Sequence, residues 1–74
     1  MRKIAVEDIA FQMAVIGTKD SMVSENDLML GLCKRFNVDT YEAIDAIQRA
    51  INAEFVFRIG AFISNKKKED INYN

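Results

Sequence analysis

The chain has 74 residues, half of them hydrophobic, and a formal net charge of −1. This length suits a single domain, and the hydrophobic fraction is too high for a disordered chain. One cysteine and no histidine exclude an internal disulfide, a Cys–His pair and a zinc site of the usual ligands within one chain.

The N-terminal segment starts with the cations Arg2 and Lys3 and continues with apolar residues interrupted by Glu7, Asp8 and Gln12. No small-residue cleavage site follows, and no apolar stretch approaches the roughly 18 residues that a membrane span needs. A lone Cys33, expected to be a small buried apolar residue, fits a reducing compartment. We therefore expect a cytoplasmic protein.

The first predicted helix runs from about Val6 to Ile16, with acidic residues in its first turn where the helix dipole favours them. Its apolar stripe at helical spacing comprises Val6, Ile9, Ala10, Met13 and Ile16. Phe11 and Val15 fall outside this stripe. They either form a contact with a second copy of the chain or complete the core against the C-terminal hairpin.

A short apolar pair, Met22-Val23, precedes the second helix and is the predicted first strand. Ser24 is the expected N-cap, with Asp27 three residues later. The apolar positions of the helix from Glu25 to Phe36 recur at helical spacing: Leu28, Met29, Leu32, Cys33 and Phe36.

The stretch RFNVDTYEA ends one helix and begins another within three residues. Asn37 tolerates a left-handed backbone and closes the second helix. Asp39 is a strong N-cap, with Glu42 completing the capping-box pattern. The third helix is predicted from about Thr40 to Ala53, with an inward stripe of Ala43, Ile44, Ile47, Ala50 and Ile51. Two amphipathic helices joined by so sharp a turn form a helix-turn-helix.

The segment from Glu54 to Ser64 is rich in aromatic and β-branched residues and predicts a β-hairpin with its turn at Ile59-Gly60 or Gly60-Ala61. Phe55 and Phe57 are expected on one face with Ile63, packed on the helices, because a lone hairpin is barely stable in water. Residues 1–65 thus form one domain, and residues 66–74 are a charged tail expected to be disordered.

The order of elements, with CKRFNVDTYEAIDAI as turn and third helix and FVFRIGAFIS as hairpin, resembles the winged-helix family. The resemblance covers Val6 to about Ser64 and implies a mainly α fold with a small β-hairpin. It also implies a small transcriptional regulator that binds duplex DNA through the third helix and the wing, commonly as a dimer. The residues implied for DNA contact are Thr40, Tyr41, Gln48, Arg49 and Asn52 on the third helix, Arg58 on the wing, and Lys66, Lys67 and Lys68 after it. The implied dimer contact is Phe11 with Val15.

The charge of the chain favours a different partner. The sequence pI is about 5.3, whereas binding to nucleic-acid phosphates is favoured by a basic protein surface. Asp39, Glu42 and Asp45 also crowd the half of the third helix that meets base edges. The alternative is therefore a winged-helix module that binds another protein, such as an accessory protein of a phage or mobile element. No nucleophile, base and stabiliser can be assembled, so we expect no enzyme, cofactor or metal.

Overall fold

The structure is a computed structural model that describes residues 4–16 and 22–66. In chain order its elements are α1 (Val6–Ile16), β1 (Met22–Ser24), α2 (Glu25–Phe36), α3 (Thr40–Asn52), β2 (Phe57–Ile59) and β3 (Phe62–Ser64). The strands form one antiparallel sheet in the order β1-β3-β2. This is the predicted architecture, a mostly helical winged-helix-like fold. The predicted turn at residues 18–21 and the tail from residue 67 onward lie outside the described residues.

The core lies where the three helices meet the inner face of the sheet. It is built almost wholly from aliphatic side chains: Ile4, Ile9, Met13, Val23, Leu28, Leu32, Ala43, Ala46, Ile47, Ala50, Val56 and Ile63. Cys33, predicted to be buried, is half-buried and packs against this core as a free thiol. The burial pattern confirms the predicted stripes of α1 and α2 in outline.

The turn between α2 and α3 has the predicted geometry. Asn37 adopts the left-handed conformation, with φ 53° and ψ 51°. The N–H of Val38 donates to the carbonyl of Cys33 at 3.2 Å, the six-to-one bond that ends many helices. Asp39 Oδ1 accepts from the N–H of Glu42 at 2.9 Å and caps α3. These local bonds account for the three-residue gap between the helices.

Two positions on α3 differ from the predicted inward stripe. Ala46 is buried, and Ile44 is 44% exposed. The helix is rotated so that its narrow alanine face, with Ile47, meets the core. Small residues let helices approach closely, and this leaves Ile44 at the border facing the first turn of α2.

The hairpin also differs from its predicted packing. Its turn is at Gly60-Ala61, one of the two predicted positions, and Gly60 has a φ of 61°. However, Phe57 lies opposite Ser64 and Arg58 opposite Ile63, so Phe57 and Ile63 point to opposite faces. The prediction that Phe55, Phe57 and Ile63 share one inward face was therefore wrong. Val56 takes the inward position, and Phe55 is 43% exposed.

The physical reason lies at the C-terminal end of α3. The N–H groups of Glu54 and Phe55 donate to the carbonyls of Ile51 and Ala50, both at 2.9 Å. The chain thus folds back tightly before the strand begins, which sets the alternation so that Val56 points inward. Sequence pattern alone could not fix this phase.

The contact between α1 and α2 contains a buried polar side chain. Gln12 is only 6% exposed, and its Oε1 has no hydrogen-bond partner. A Cβ added at Gly31 would lie 2.5 Å from Gln12 Nε2. Gly31 therefore leaves the space that the Gln12 amide occupies.

Candidate interaction surface on α3 and the hairpin

The outward face of α3 is a mixture of polar, acidic and apolar side chains. Five residues of this face are exposed: Thr40, Tyr41, Ile44, Asp45 and Asn52. Tyr41, at 83%, is the most exposed large hydrophobic side chain among the described residues. The five residues share one face because positions three and four apart are neighbours on a helix. Of the predicted third-helix residues, Thr40, Tyr41 and Asn52 are thus exposed, and Gln48 and Arg49 are half-buried.

Gln48 and Asn52 satisfy part of each other's hydrogen-bonding capacity. Gln48 Nε2 donates to Asn52 Oδ1 at 3.0 Å, one helical turn away. Both amides keep further donors and acceptors, since each side chain carries two donors and an acceptor. They remain able to contact a polar ligand.

Arg49, by contrast, is held by the protein itself. Its Nε donates to Asp45 Oδ2 at 2.9 Å, and its Nη1 donates to the carbonyl of Ile4 at 3.1 Å. Its Nη2 is buried without a hydrogen-bond partner. Because Ile4 belongs to the core, Arg49 fastens the segment before α1 to α3.

Arg58 is also engaged within the chain. Its Nη2 donates to Glu25 Oε2 at 2.6 Å, across the gap between the hairpin and the first turn of α2. The N–H of Glu25 donates in turn to the carbonyl of Ala61 at 2.9 Å. The side chain and the backbone of Glu25 together hold the hairpin against α2, so both arginines predicted to contact DNA form ion pairs with carboxylates of the same surface.

Of the three predicted tail lysines, Lys66 lies within the described residues. Lys66 is exposed, and its backbone N–H donates to Ser64 Oγ at 3.0 Å. Lys67 and Lys68 lie outside the described residues. The described part of the chain carries eight carboxylates against five basic side chains, a net charge of −3. The basic excess of the remaining residues reduces this to the −1 of the whole chain.

A shallow groove opens beside Ile44, and sequence reasoning did not find it. It has a volume of about 390 Å³ and is lined by Ser24, Glu25, Asn26, Met29, Ile44 and Ala61. We call it the α2–α3 groove. Met29 and Ile44 were both predicted to be core residues, and no sequence signal distinguishes a core position from the wall of a groove. The groove forms where α2 crosses α3, and the pattern of apolar residues in the sequence does not specify that crossing.

Apolar surface continues from this groove onto the sheet. Ser24 lines the groove and lies opposite Phe62, so the two side chains point to the same face. Phe62 is 47% exposed and lies opposite Ile59 on its other side. Phe62 and Ile59 thus add apolar side chains to the sheet face on which Ser24 lies.

The predicted dimer residues lie on a separate exposed face of α1. Phe11 is 53% exposed and Val15 57%, so neither completes the core against the hairpin. The guanidinium of Arg35 lies 4.5 Å from the centroid of the Phe11 ring, within the range of a cation–π contact. The dimer contact stays a prediction.

Within residues 4–16 and 22–66, no group of three or more His, Cys, Asp or Glu side chains is arranged to hold a metal ion. No helix in that part of the chain is long and apolar enough to cross a membrane. Comparison of the chain with protein-family models, with curated proteins and with solved structures found no match.

Proposed function

We propose that this chain is a winged-helix-like interaction module that binds another protein through the outward face of α3 and the α2–α3 groove. The proposal rests mainly on one observation. The two arginines that would contact phosphate or bases are paired with Asp45 and Glu25, while Tyr41 and Ile44 on the same side are exposed.

Charge supports the same conclusion. Binding to duplex DNA is favoured when several unpaired cations of the protein contact phosphates and release the counterions of the DNA. On α3 and the hairpin, each described cation is already matched by a carboxylate, whereas Asp39 at the start of α3 and Glu42 make no ion pair with any described residue. Exposed aromatic side chains such as Tyr41 are enriched at the centre of protein–protein interfaces, and charged side chains lie at the polar rim.

The test is affinity capture with the purified chain, comparing wild type with Ile44→Asn. Leu30→Asn is the matched control, because Leu30 is an exposed aliphatic residue on α2, 52% exposed, that does not line the groove. We expect a protein retained by wild type and by Leu30→Asn and lost with Ile44→Asn. Direct titration with that purified protein should then show at least tenfold weaker binding to Ile44→Asn, about 1.4 kcal/mol.

A second candidate is DNA binding, favoured by the winged-helix-like order and by the accessible amides of Gln48 and Asn52, a residue pair suited to reading adenine edges. Its test is fluorescence anisotropy with labelled duplex DNA at about 50 and 200 mM salt. Binding that weakens by about 10³-fold over this range, and further in Arg58→Ala, would favour DNA. That result, together with no Ile44-dependent capture, would overturn the protein-binding proposal.

A further inference from the structure

The α2–α3 groove has one charged residue in its wall, and a residue outside the groove neutralises that charge. We infer that Arg58 determines the specificity of the groove: by pairing with Glu25, it makes the groove a site for an uncharged apolar segment of the partner protein. This inference rests on the proposed function. Arg58 is a positioning residue here, because it acts on the bound segment through Glu25 and does not line the groove itself.

The wall of the groove is neutral apart from Glu25. Three of its six described residues are apolar and two are polar without charge: in chain order the wall comprises Ser24, Glu25, Asn26, Met29, Ile44 and Ala61. An apolar segment can bury its surface on Met29 and Ile44 without cost only if the carboxylate beside them is neutralised. Charge can therefore decide at Glu25 what the groove binds.

Arg58 supplies the neutralisation. Its Nη2 donates to Glu25 Oε2 at 2.6 Å, and both side chains are partly exposed to solvent. The N–H of Glu25 also donates to the carbonyl of Ala61 at 2.9 Å, which fixes Glu25 between α2 and the hairpin. A lysine or arginine of a bound segment would thus compete with Arg58 for a carboxylate that already has its partner, whereas an apolar segment would cover a neutral pair.

The other carboxylates near the groove do not change its charge. Asp27 follows Glu25 by two residues, which places it about 200° further around α2, and it does not line the groove. Asp45 follows Ile44 on α3, but it pairs with Arg49 at 2.9 Å and also lies outside the wall. Among the described residues, Glu25 is therefore the one charged group that a bound segment must cover.

Removal of Arg58 should convert the groove from an apolar site into an anionic one. In Arg58→Gln, the Glu25 carboxylate loses the cation with which it pairs, and burial of that carboxylate beneath an apolar segment becomes unfavourable. A segment with a lysine at that point gains an ion pair instead. The double variant Glu25→Gln/Arg58→Gln carries neither charge and should regain the preference of the wild type.

The experiment is selection from a displayed library of random peptides, carried out in parallel against the full wild-type chain and against Arg58→Gln. Peptides that still bind when Ile44→Asn is introduced into the same bait are removed, which leaves peptides that need the groove. We expect wild-type winners to be apolar without enrichment in lysine or arginine, and Arg58→Gln winners to be enriched in both. Basic winners from the wild type, or the same composition from both baits, would overturn the inference.

A fluorescent wild-type winner, with a series of copies that carry lysine at each position in turn, then measures the change in preference. Arg58→Gln should shift the preference towards the best lysine copy by about twofold to fivefold at low salt, and by less at high salt, as for a partly exposed ion pair. Arg35→Gln is the matched control, because it removes the same charge from an exposed arginine of α2 that stacks on Phe11 and does not line the groove. An equal shift in both variants would overturn the inference, since net charge alone would then explain it.

The double variant separates specificity from a purely structural role. If Arg58 acts through the charge of Glu25, Glu25→Gln/Arg58→Gln should bind the parent peptide in preference to its lysine copies, as the wild type does. If Arg58 only holds the hairpin in place, the double variant should bind the parent peptide no better than Arg58→Gln, and this result would overturn the inference.

The two proposals fail in different ways. A captured protein whose binding depends on Ile44, combined with basic winners from the wild type, would leave the proposed function standing and remove only the inference about Arg58. An absence of Ile44-dependent peptides would remove the inference as well, whatever the capture shows. An absence of Ile44-dependent capture, with salt-sensitive binding to duplex DNA, would remove the proposed function.

Discussion

Among the described residues, two other than glycine adopt a left-handed backbone, Asn37 with φ 53° and Glu54 with φ 59°. Both follow the end of a helix and complete the same motif. After α3 the N–H groups of Glu54 and Phe55 donate to the carbonyls of Ile51 and Ala50, the pair of bonds that glycine usually permits at this position. Asparagine tolerates this conformation, whereas glutamate does not gain from it. Glu54 is thus held in an unfavourable conformation by its neighbours.

We expect Glu54→Gly to raise the free energy of unfolding by about 0.5–1 kcal/mol, because glycine adopts a positive φ without steric cost and only part of this gain is lost to the entropy of the unfolded chain. Urea denaturation measures the change. The control is Ala53→Gly, one residue earlier at φ −83°, which relieves nothing and should lower stability. Equal shifts in both variants would contradict the assigned strain.

Arg49 is a second single residue whose contacts differ from its predicted role. Its position on α3 suggested contact with DNA bases, yet it donates to Asp45 and to the carbonyl of Ile4. Arginine is a residue type that can read base edges, as predicted. Here the two hydrogen bonds hold its guanidinium within the protein. Removal of Arg49 would therefore alter the fold as well as the surface.

The contact between α1 and α2 depends on a pair of residues that neither helix explains alone. Gln12 lies on α1 between the apolar stripe and the exposed Phe11, and Gly31 interrupts α2 without ending it. The absence of a side chain at Gly31 accommodates the buried amide of Gln12, whose Nε2 would lie 2.5 Å from an added Cβ. A glycine inside a helix, unfavourable by about 1 kcal/mol relative to alanine, is thereby accounted for by packing.

We expect Gly31→Ala to lower the free energy of unfolding in the wild-type chain, because Gln12 is 94% buried and must be displaced. In a Gln12→Ala background the same substitution should raise it by about 1 kcal/mol, the helix propensity of alanine over glycine. A double-mutant cycle followed by urea denaturation measures this reversal of sign. The same sign in both backgrounds would show that the amide does not set the spacing of the helices.

At the scale of the whole molecule, two of the apolar surfaces that the described residues expose are candidates for contacts with other chains. One is the α2–α3 groove with its neighbours, and the other is the face of α1 that carries Phe11 and Val15. A domain of this size buries only about 60% of its unfolded surface, so association would add to its stability. In the arrangement we propose, the α1 face binds a second copy of the chain and the groove binds another protein.

We expect the chain to self-associate through Phe11 and Val15, so that its apparent mass in sedimentation equilibrium rises with concentration. Phe11→Asp should shift the chain towards monomer, because a carboxylate would be buried in the contact. Phe55→Asp is the matched control, since Phe55 is an exposed aromatic residue beyond α3, 43% exposed. A mass equal to one chain at every concentration would refute the dimer.

Local signals in the sequence determined much of the fold. The caps at Ser24 and Asp39, the left-handed Asn37 and the turn at Gly60 are governed by residues within a few positions of one another, so the bounds of α2, the start of α3 and the hairpin loop could be predicted. The candidate face of α3 could be predicted for the same reason, because helical spacing places Tyr41, Gln48 and Asn52 together.

Only the tertiary structure decided which of those residues are free to bind a partner. Arg58 meets Glu25 across 33 positions of sequence, and Arg49 meets Ile4 across 45. Ala46 is buried in the core where Ile44 was predicted to be, and this difference likewise depends on how α3 rotates against its neighbours. Such contacts follow from the crossing of helices and the phase of a strand, which are set by packing over the whole domain. They carry no signature in the local pattern of residues, and they pair the two arginines predicted to contact DNA with carboxylates of the same chain.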